Sequence, residues 1–299
     1  LKNKKFIIPN FTCAIVIAIL DENNVKYDFY EIDKKLNINL KKIKNRKYDV
    51  FYLINFFGKY QKINNKFFNN KIVIEDNVFL PFFENSRKLK NWISFNSLRK
   101  VTPLADGSLI KSTIKLKDHY ILKKQANFVK YKYKGKKIKY DYLNKKKGLT
   151  EKDYLSYFEK GEKKLNKQKE IFEISNLSLF KYFDFVLKKD AELQIRKNNY
   201  QILANKLKLY SIKFNPVFPS FFTILVKNRD ELKIFLKTKK IFLPIHWPQI
   251  KNVESILYKH IISIPVDSRY GEKDMLRISN LINYFYTKNI TIKNEKHNK

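Results

Sequence analysis

Residues 71–77 read KIVIEDN, an apolar run that ends in two acids and an amide. Consecutive β-branched and apolar residues are typical of a strand that is buried on both faces of a sheet. Similar runs lie at residues 26–32 and 48–56, and polar stretches over residues 36–45 and 59–69 separate the three. We predict that these stretches are crossover helices, because alternating strands and helices form a mainly parallel sheet.

The same alternation extends the fold in both directions. A strand over residues 6–9 precedes a helix that starts near Thr12, and residues 92–98 and 108–114 add two β segments. Residues 118–189 are rich in lysine and compatible with helices, and a further helix follows. The carboxyl-terminal part is predicted to contain strands 218–226, 242–247 and 261–265 and helices 229–239 and 272–286.

This pattern predicts two domains. We expect a large α/β domain over residues 1–210 and a smaller α/β domain over residues 211–299, with the Asn215-Pro216 pair near the border. Within the lysine-rich region, Thr150 followed by two acids in the next three positions predicts the start of a helix.

The composition excludes several classes of protein. With 44% hydrophobic and 15% aromatic residues, the chain can bury a sizeable core and is not a disordered protein. The single cysteine, Cys13, excludes a disulfide scaffold and multi-thiolate metal sites. Four scattered histidines form no HxxxH or HxH pair, so we expect no metal site. The six glycines form neither a GxGxxG nor a GxxxxGK[ST] phosphate loop.

A net charge of +35 suggests a nucleic-acid-binding protein, because clustered cations displace the counterions of phosphates. The basic residues are almost all lysine, however, and they are spread along the chain among many Asn, Ile, Phe and Tyr residues. Arginine is the residue that favours bidentate phosphate and base contacts. We therefore favour an enzyme with a cationic surface and expect no nucleic-acid partner. A basic nucleic-acid-binding protein is kept as an alternative.

A basic start followed by an apolar run over residues 6–20 resembles a signal peptide. Pro9, Asn10 and Thr12 interrupt this run, and no small-x-small cleavage site follows it. The run is also shorter than the roughly 20 residues that a spanning helix needs. We expect a cytoplasmic protein that does not associate with a membrane.

Two segments carry candidate site residues. Asp76 ends a predicted strand, and ligands of open α/β sheets bind beyond the carboxyl ends of the strands. A helix cap or a loop hydrogen bond is the alternative role for this acid. Residues 92–100, WISFNSLRK, end in Arg99 and Lys100 at a predicted β end, with an Asp-Gly turn after them. The alternative for Lys100 is a solvated surface cation.

Together these segments resemble a known family. IIPNFTCAIVIAIL, YDFYEID, FYLINFFGK, VIEDNV, SFNSLRK…DGSLI and LPIHWP…ISIPVDSRYGEKDMLRI occur in the order found in the DegT/DnrJ/EryC1/StrS aminotransferases, pyridoxal-phosphate enzymes of fold type I. The resemblance covers most of residues 6–286 and is weakest over residues 118–170. It implies a mostly parallel, seven-stranded-type sheet with helices on both faces and a smaller carboxyl-terminal α/β domain. The family's first helix and its Gly-Ser/Thr phosphate-binding turn have no counterpart in these 299 residues.

The resemblance also implies roles for individual residues. Asp76 would keep the ring nitrogen of pyridoxal 5′-phosphate protonated, and Lys100 would bind the cofactor covalently and then act as the general base. Arg99 would lower the pKa of the Lys100 amine by repulsion between like charges. Either Ser94 or Ser97 would contact the cofactor phosphate.

Other positions depart from the family's usual residues or are assigned only by their segment. Cys13 stands where the family has an aromatic residue on the cofactor ring, and Phe79 replaces a polar residue near the cofactor 3′-oxygen. His246 and Trp247 lie in a segment that faces the substrate, although packing beside the neighbouring prolines is the alternative. Asn176 is the candidate for the asparagine that reaches a neighbouring subunit's cofactor.

The implied reaction is the transfer of an amino group from glutamate or glutamine to a keto sugar nucleotide, in surface-polysaccharide or amino-sugar biosynthesis. The family's sites are built at a two-fold interface, so the resemblance also implies a homodimer. The alternative within the same fold is a homologue that has lost transamination.

Overall fold

A mostly parallel six-stranded sheet forms the amino-terminal half of the protein. The computed structural model describes residues 1, 3–68, 70–116, 126–168 and 170–297, with side chains described as far as residue 288. The strands of this sheet are β1 (Phe6–Pro9), β2 (Tyr27–Tyr30), β3 (Val50–Ile54), β4 (Ile72–Asp76), β5 (Trp92–Phe95) and β6 (Ile110–Ser112). Their order is β2-β1-β3-β4-β5-β6, and only β6 runs antiparallel to its neighbour. The predicted α/β fold with a parallel sheet is confirmed, with six strands in the described part of the chain.

The central strands have the burial expected of a covered parallel sheet. All five residues of β3 are buried, which accounts for the uninterrupted apolar character of this segment. Parallel pairing sets Ile54 opposite Asp76, and Asp76 opposite Phe95. The carboxyl ends of β3, β4 and β5 therefore lie side by side at one edge of the sheet.

Nine helices and a second small sheet complete the described part of the chain. The helices are α1 (Ala14–Glu22), α2 (Leu98–Val101), α3 (Asn127–Leu143), α4 (Glu151–Asn166), α5 (Asn176–Leu187), α6 (Lys189–Lys206), α7 (Arg229–Thr238), α8 (Ile256–His260) and α9 (Glu272–His297). Strands β7 (Phe221–Leu225) and β8 (Ile261–Pro265) form an antiparallel pair. The predicted helix start at Thr150 is confirmed, since its backbone N–H donates to Asp153 Oδ2 at 2.7 Å. The first residues of the predicted lysine-rich region, 118–125, lie outside the described residues.

The two predicted crossover helices over residues 36–45 and 59–69 are wrong. The first stretch contains only a 3₁₀ turn at Leu40–Lys42, and the second only a 3₁₀ turn at Asn65–Phe68. Asp33 Oδ1 accepts hydrogen bonds from the backbone N–H groups of residues 35 and 37, both at 2.8 Å. Such side-chain bonds compete with the helical pattern and turn the chain before a helix can start.

The predicted strand over residues 242–247 is also wrong. This segment has no regular structure, and one backbone hydrogen bond, from Ser263 N to Pro244 O at 3.2 Å, links it to β8. Pro244 and Pro248 have no N–H group to donate to a ladder, which explains why an apolar run here does not become a third strand.

The apolar residues form two main cores. The larger core lies around β1, β3 and β4, and it also includes Trp247, Tyr258 and Ile261 from the carboxyl-terminal part. The second core is built from α6, β7, α7, β8 and α9, and Leu203 and Leu207 of α6 belong to it. In the residues that the structure covers, no helix has both the length and the apolar character to cross a membrane.

Candidate active site

The order of the strands places a crevice at the carboxyl edge of the sheet. The chain passes from β1 to β2 on one side and returns to β3 on the other side of β1. At such a reversal the loops that leave the two strands diverge, and the crevice between them is the usual ligand site of open α/β sheets. Cys13 follows β1, Tyr52 lies in β3, Asp76 ends β4 and Lys100 follows β5. The topology thus brings four residues from distant parts of the sequence to one edge.

Asp76 is a buried carboxylate held by two hydrogen bonds. Its side chain is 6% exposed, and the Tyr52 hydroxyl donates to Oδ2 at 2.7 Å while the Val78 backbone N–H donates to Oδ1 at 2.9 Å. Burial raises the pKa of Asp76 to about 6, although both hydrogen bonds and the positive charge of Lys100 act to lower it. At neutral pH the carboxyl group is therefore largely ionised and faces a nearby cation.

Lys100 lies in the single turn of α2 rather than at the end of a β segment, since β5 already ends at Phe95. The side chain is exposed, yet the surrounding protein removes enough solvent to lower the pKa of its amine, and repulsion from Arg99 lowers it further. The predicted effect of Arg99 is thereby confirmed. Within the described residues, no hydrogen bond or ion pair engages the Lys100 amine. The group is thus free to react.

The two candidate serines differ in their surroundings. Ser94 is fully buried, its hydroxyl donates to the Glu75 backbone oxygen at 2.9 Å, and it accepts from Asn77 Nδ2 at 2.7 Å. Ser97 is half-buried at the start of α2, three residues before Lys100. The bonds of Ser94 favour a structural role within the sheet, and they leave Ser97 as the better candidate for a ligand contact.

Cys13 is a half-buried free thiol at the amino end of α1. It lies close enough to Lys100, Tyr52 and Tyr258 to contribute to the electrostatic surroundings of each. Tyr258 fixes the preceding residue: its hydroxyl donates to Thr12 O and accepts from Thr12 N, both at 3.0 Å. The carboxyl-terminal part of the chain therefore holds the loop that carries Cys13.

An aromatic cluster closes the other side of the site. Phe79 is 1% exposed, and its ring centroid lies 5.5 Å from that of His246 and 6.0 Å from that of Trp247. His246 Nδ1 is 3.0 Å from the Ser263 hydroxyl, and burial together with the charge of Lys100 lowers the pKa of the imidazole to about 4. His246 is thus neutral near pH 7 and lies within electrostatic range of Lys100.

Trp247 has different surroundings from its neighbour. The indole is 8% exposed, and it packs against Phe11 at 5.1 Å and against Phe56 at 6.2 Å between ring centroids. This packing favours a structural role for Trp247 over the substrate contact that the sequence suggested.

Sequence reasoning missed the contribution of the α3–α4 hairpin and of Tyr52. Lys132 of α3 forms an ion pair with Glu162 of α4, and the charges of both residues act on Lys100. The sequence signal for this contact is slight, because Lys132 is one of many lysines in its region. Tyr52 carried no signal either, since a tyrosine in a buried strand is ordinary.

The chain was compared with known proteins. No protein-family model matches the sequence, and no curated protein matches it. Among solved structures, it is similar to a DegT/DnrJ/EryC1/StrS aminotransferase from Brucella abortus, with a TM-score of 0.63 and 13% identity over 94% of this chain and 79% of the other. It is also similar to PseC of Helicobacter pylori, an aminotransferase involved in the biosynthesis of pseudoaminic acid. That match has a TM-score of 0.62 and 12% identity over 95% of this chain and 80% of the other.

A third neighbour is DesI, whose structure was determined in the presence of its TDP-sugar product. It matches with a TM-score of 0.62 and 11% identity over 99% of this chain and 78% of the other. The likeness extends over nearly the whole chain. The chain therefore has the fold of the DegT/DnrJ/EryC1/StrS aminotransferases, the fold type I that its sequence motifs suggested.

Proposed function

We propose that this protein is a pyridoxal-phosphate-dependent aminotransferase that acts on a keto sugar carried by a nucleotide. One observation carries the proposal: in this fold, a buried carboxylate, Asp76, lies near Lys100 at the carboxyl edge of the sheet, and this lysine has a lowered pKa and no partner among the described residues. A carboxylate and an amine arranged in this way match the ring nitrogen and the aldehyde of the cofactor.

The donor groups of the site fit pyridoxal 5′-phosphate. Asp76 supplies the acceptor for the protonated ring nitrogen, Lys100 the amine for the aldehyde, and Ser97 a hydroxyl for the phosphate. Cys13 and Phe79 lie around these three groups and supply a thiol and an apolar wall. When bound, the cofactor supplies an electron sink for the bond changes at the amino-bearing carbon.

The residues of the chain have separate tasks in this proposal. Asp76, as a carboxylate, holds the ring nitrogen in its protonated form. The Lys100 amine would hold the cofactor aldehyde and would serve as the general base that accepts a proton from the amino-bearing carbon. His246, being neutral, offers a hydrogen bond to a substrate hydroxyl without repelling Lys100. The rings around Phe79 exclude water from this side.

The substrate class rests on the structural neighbours. PseC is described as taking part in pseudoaminic acid biosynthesis, and DesI was solved with a TDP-sugar product. We assign this chain to the same class of substrates, a keto sugar nucleotide with glutamate or glutamine as amino donor, in amino-sugar or surface-polysaccharide biosynthesis. The proposal includes the cytoplasmic location expected from the sequence.

A homodimer is part of the proposal, and α5 supports it. This helix exposes Leu177 (48%), Phe180 (73%), Phe183 (60%) and Leu187 (86%) to solvent. An exposed apolar helix face of this size is normally covered by a partner. A second copy fits best, because an apolar face can meet its own symmetry mate without opposing like charges in a chain of net charge +35. Asn176 is exposed at the start of this helix.

Reduction with borohydride tests the assignment of the two central residues. The purified protein incubated with pyridoxal 5′-phosphate is expected to absorb in the visible, and borohydride should fix the cofactor to Lys100, as identified by peptide mass. Lys100→Ala should abolish the adduct, whereas Asp76→Asn should keep it and lose most of the turnover with a keto sugar nucleotide.

Two outcomes would contradict this assignment. An adduct on Lys88 or Lys111 would overturn the assignment of Lys100, and Lys111 already pairs with Glu84. The absence of any cofactor spectrum in the wild-type protein would favour the homologue that has lost transamination. Salt-dependent retention on DNA, with no cofactor binding, would favour the nucleic-acid-binding alternative.

A further inference from the structure

Tyr52 is a buried residue of β3 beside the proposed cofactor site. The residue is 6% exposed, and its backbone oxygen accepts a hydrogen bond from the Tyr30 hydroxyl at 2.9 Å. Its own hydroxyl donates to Asp76 Oδ2 at 2.7 Å, a short bond between two buried groups on adjacent strands. Among the described residues, the Asp76 carboxylate is thus the one hydrogen-bond partner of the Tyr52 hydroxyl.

Other groups around Asp76 do not duplicate this bond. The Val78 N–H binds the other carboxylate oxygen, and Lys100 on α2 acts through its charge without a hydrogen bond. Glu75, the preceding residue, is engaged elsewhere by Arg87 and Trp92. Among the residues described, Tyr52 is therefore the one side chain that donates a hydrogen bond to Asp76.

We propose that Tyr52 is a positioning residue: its hydroxyl fixes the orientation of the Asp76 carboxylate and keeps it ionised, so that the carboxylate can bind the ring nitrogen of the cofactor. This inference rests on the proposed function.

The chemistry of the pair explains why a tyrosine is suited to this place. Burial, and then the neighbouring Asp76 charge, raises the pKa of the Tyr52 phenol well above its ordinary value, so the phenol remains a neutral donor at every working pH. A neutral donor stabilises the carboxylate without neutralising it, whereas a cation there would compete with the ring nitrogen for it.

Tyr52→Phe removes only the hydroxyl, and Tyr30→Phe is the matched control. Tyr30 of β2 is also buried and its hydroxyl also donates one hydrogen bond, but to the Tyr52 backbone oxygen and not to Asp76. Carbon-13 NMR of the Asp76 carboxyl in the cofactor-free protein should show its pKa raised by about one unit in Tyr52→Phe, because a hydrogen bond to the charged form is lost. Tyr30→Phe should leave that pKa unchanged.

Incorporation of 3-fluorotyrosine at position 52 provides a second measurement with the opposite sign. The fluorinated phenol is a stronger donor, so the Asp76 pKa should fall in this protein. An Asp76 carboxyl that titrates at the same pH in wild type, Tyr52→Phe and the fluorinated protein would overturn the inference.

Binding of pyridoxal 5′-phosphate separates this inference from the proposed function. At pH 7 the cofactor should bind Tyr52→Phe about twofold more weakly than wild type, because a pKa near 7 leaves about half of Asp76 protonated, against about a tenth with a pKa near 6. The ratio of the two affinities should approach one at pH 9, where Asp76 is ionised in both proteins. A wild-type protein that does not bind the cofactor contradicts the proposed function. Equal binding by wild type and Tyr52→Phe at pH 7 contradicts the role of Tyr52.

Discussion

The buried charge of Asp76 lowers the stability of the folded protein. The carboxyl has a pKa of about 6 in the folded protein, whereas an aspartate in an unfolded chain titrates near 3.9. Between these values the folded state binds more protons than the unfolded state, so stability falls as pH rises from about 4 to about 6. Above pH 6 the full cost of burying the charge is present.

Asp76→Asn should therefore stabilise the cofactor-free protein at pH 7.5. The amide keeps the size of the side chain and carries no charge, and a pKa difference of about two units corresponds to roughly 3 kcal/mol. Urea unfolding of wild type and Asp76→Asn at pH 7.5 and at pH 4 measures the difference in their free energies of unfolding at each pH. We expect the advantage of the variant, defined as this difference, to be larger at pH 7.5. An advantage that is equal at both pH values would show that the buried charge of Asp76 is not its source.

At the scale of the element, Gly58 joins the large sheet to the segment that enters β7. It has a positive φ of 87° within the 3₁₀ turn at Phe56–Gly58, and its backbone oxygen accepts a hydrogen bond from Val217 N at 2.9 Å. A Cβ atom at this position would lie 1.9 Å from the Phe218 backbone oxygen. Glycine is required here both by its conformation and by the close approach of the two segments.

Gly58→Ala is expected to lower the free energy of unfolding by about 2–4 kcal/mol. Gly148→Ala is the matched control, because Gly148 has a positive φ of 80° and its Cβ would meet no atom within 4 Å. The control reports backbone strain alone, which costs about 1–2 kcal/mol. Denaturant titration of the two variants gives the difference. Equal decreases in the free energy of unfolding of the two variants would mean that the close contact with Phe218 does not contribute to the effect of Gly58→Ala.

The elements also show what the sequence was able to predict. The strands were predictable because burial on both faces leaves continuous apolar runs, as in β3. The absence of a helix over residues 36–45 was not predictable, because the hydrogen bonds of Asp33 that turn the chain there depend on its local geometry rather than on hydrophobic spacing. The positions of Asp76 and Lys100 followed from motifs, whereas the Tyr52 hydroxyl finds its partner 24 residues away, on the adjacent strand.

The whole molecule is expected to be a dimer that is held by the apolar face of α5. Leu187→Lys should shift light-scattering mass from two chains toward one, because it buries a charge in the interface. Leu209→Lys is the matched control, since Leu209 is an equally exposed leucine (91%) outside this helix. A wild-type mass of one chain, or equal behaviour of both variants, would contradict an interface through α5.

The larger core contains Trp247, Tyr258 and Ile261 beside residues of β1 and β3. The ring of Phe11 packs against two of these residues, and its centroid lies 5.1 Å from that of Trp247 and 5.1 Å from that of Tyr258. During synthesis, then, the first strands emerge from the ribosome long before the residues that cover them. The nascent amino-terminal half must keep its aromatic side chains uncovered until about residue 260 has been released, and in that interval it is a natural client for chaperones that bind exposed apolar segments.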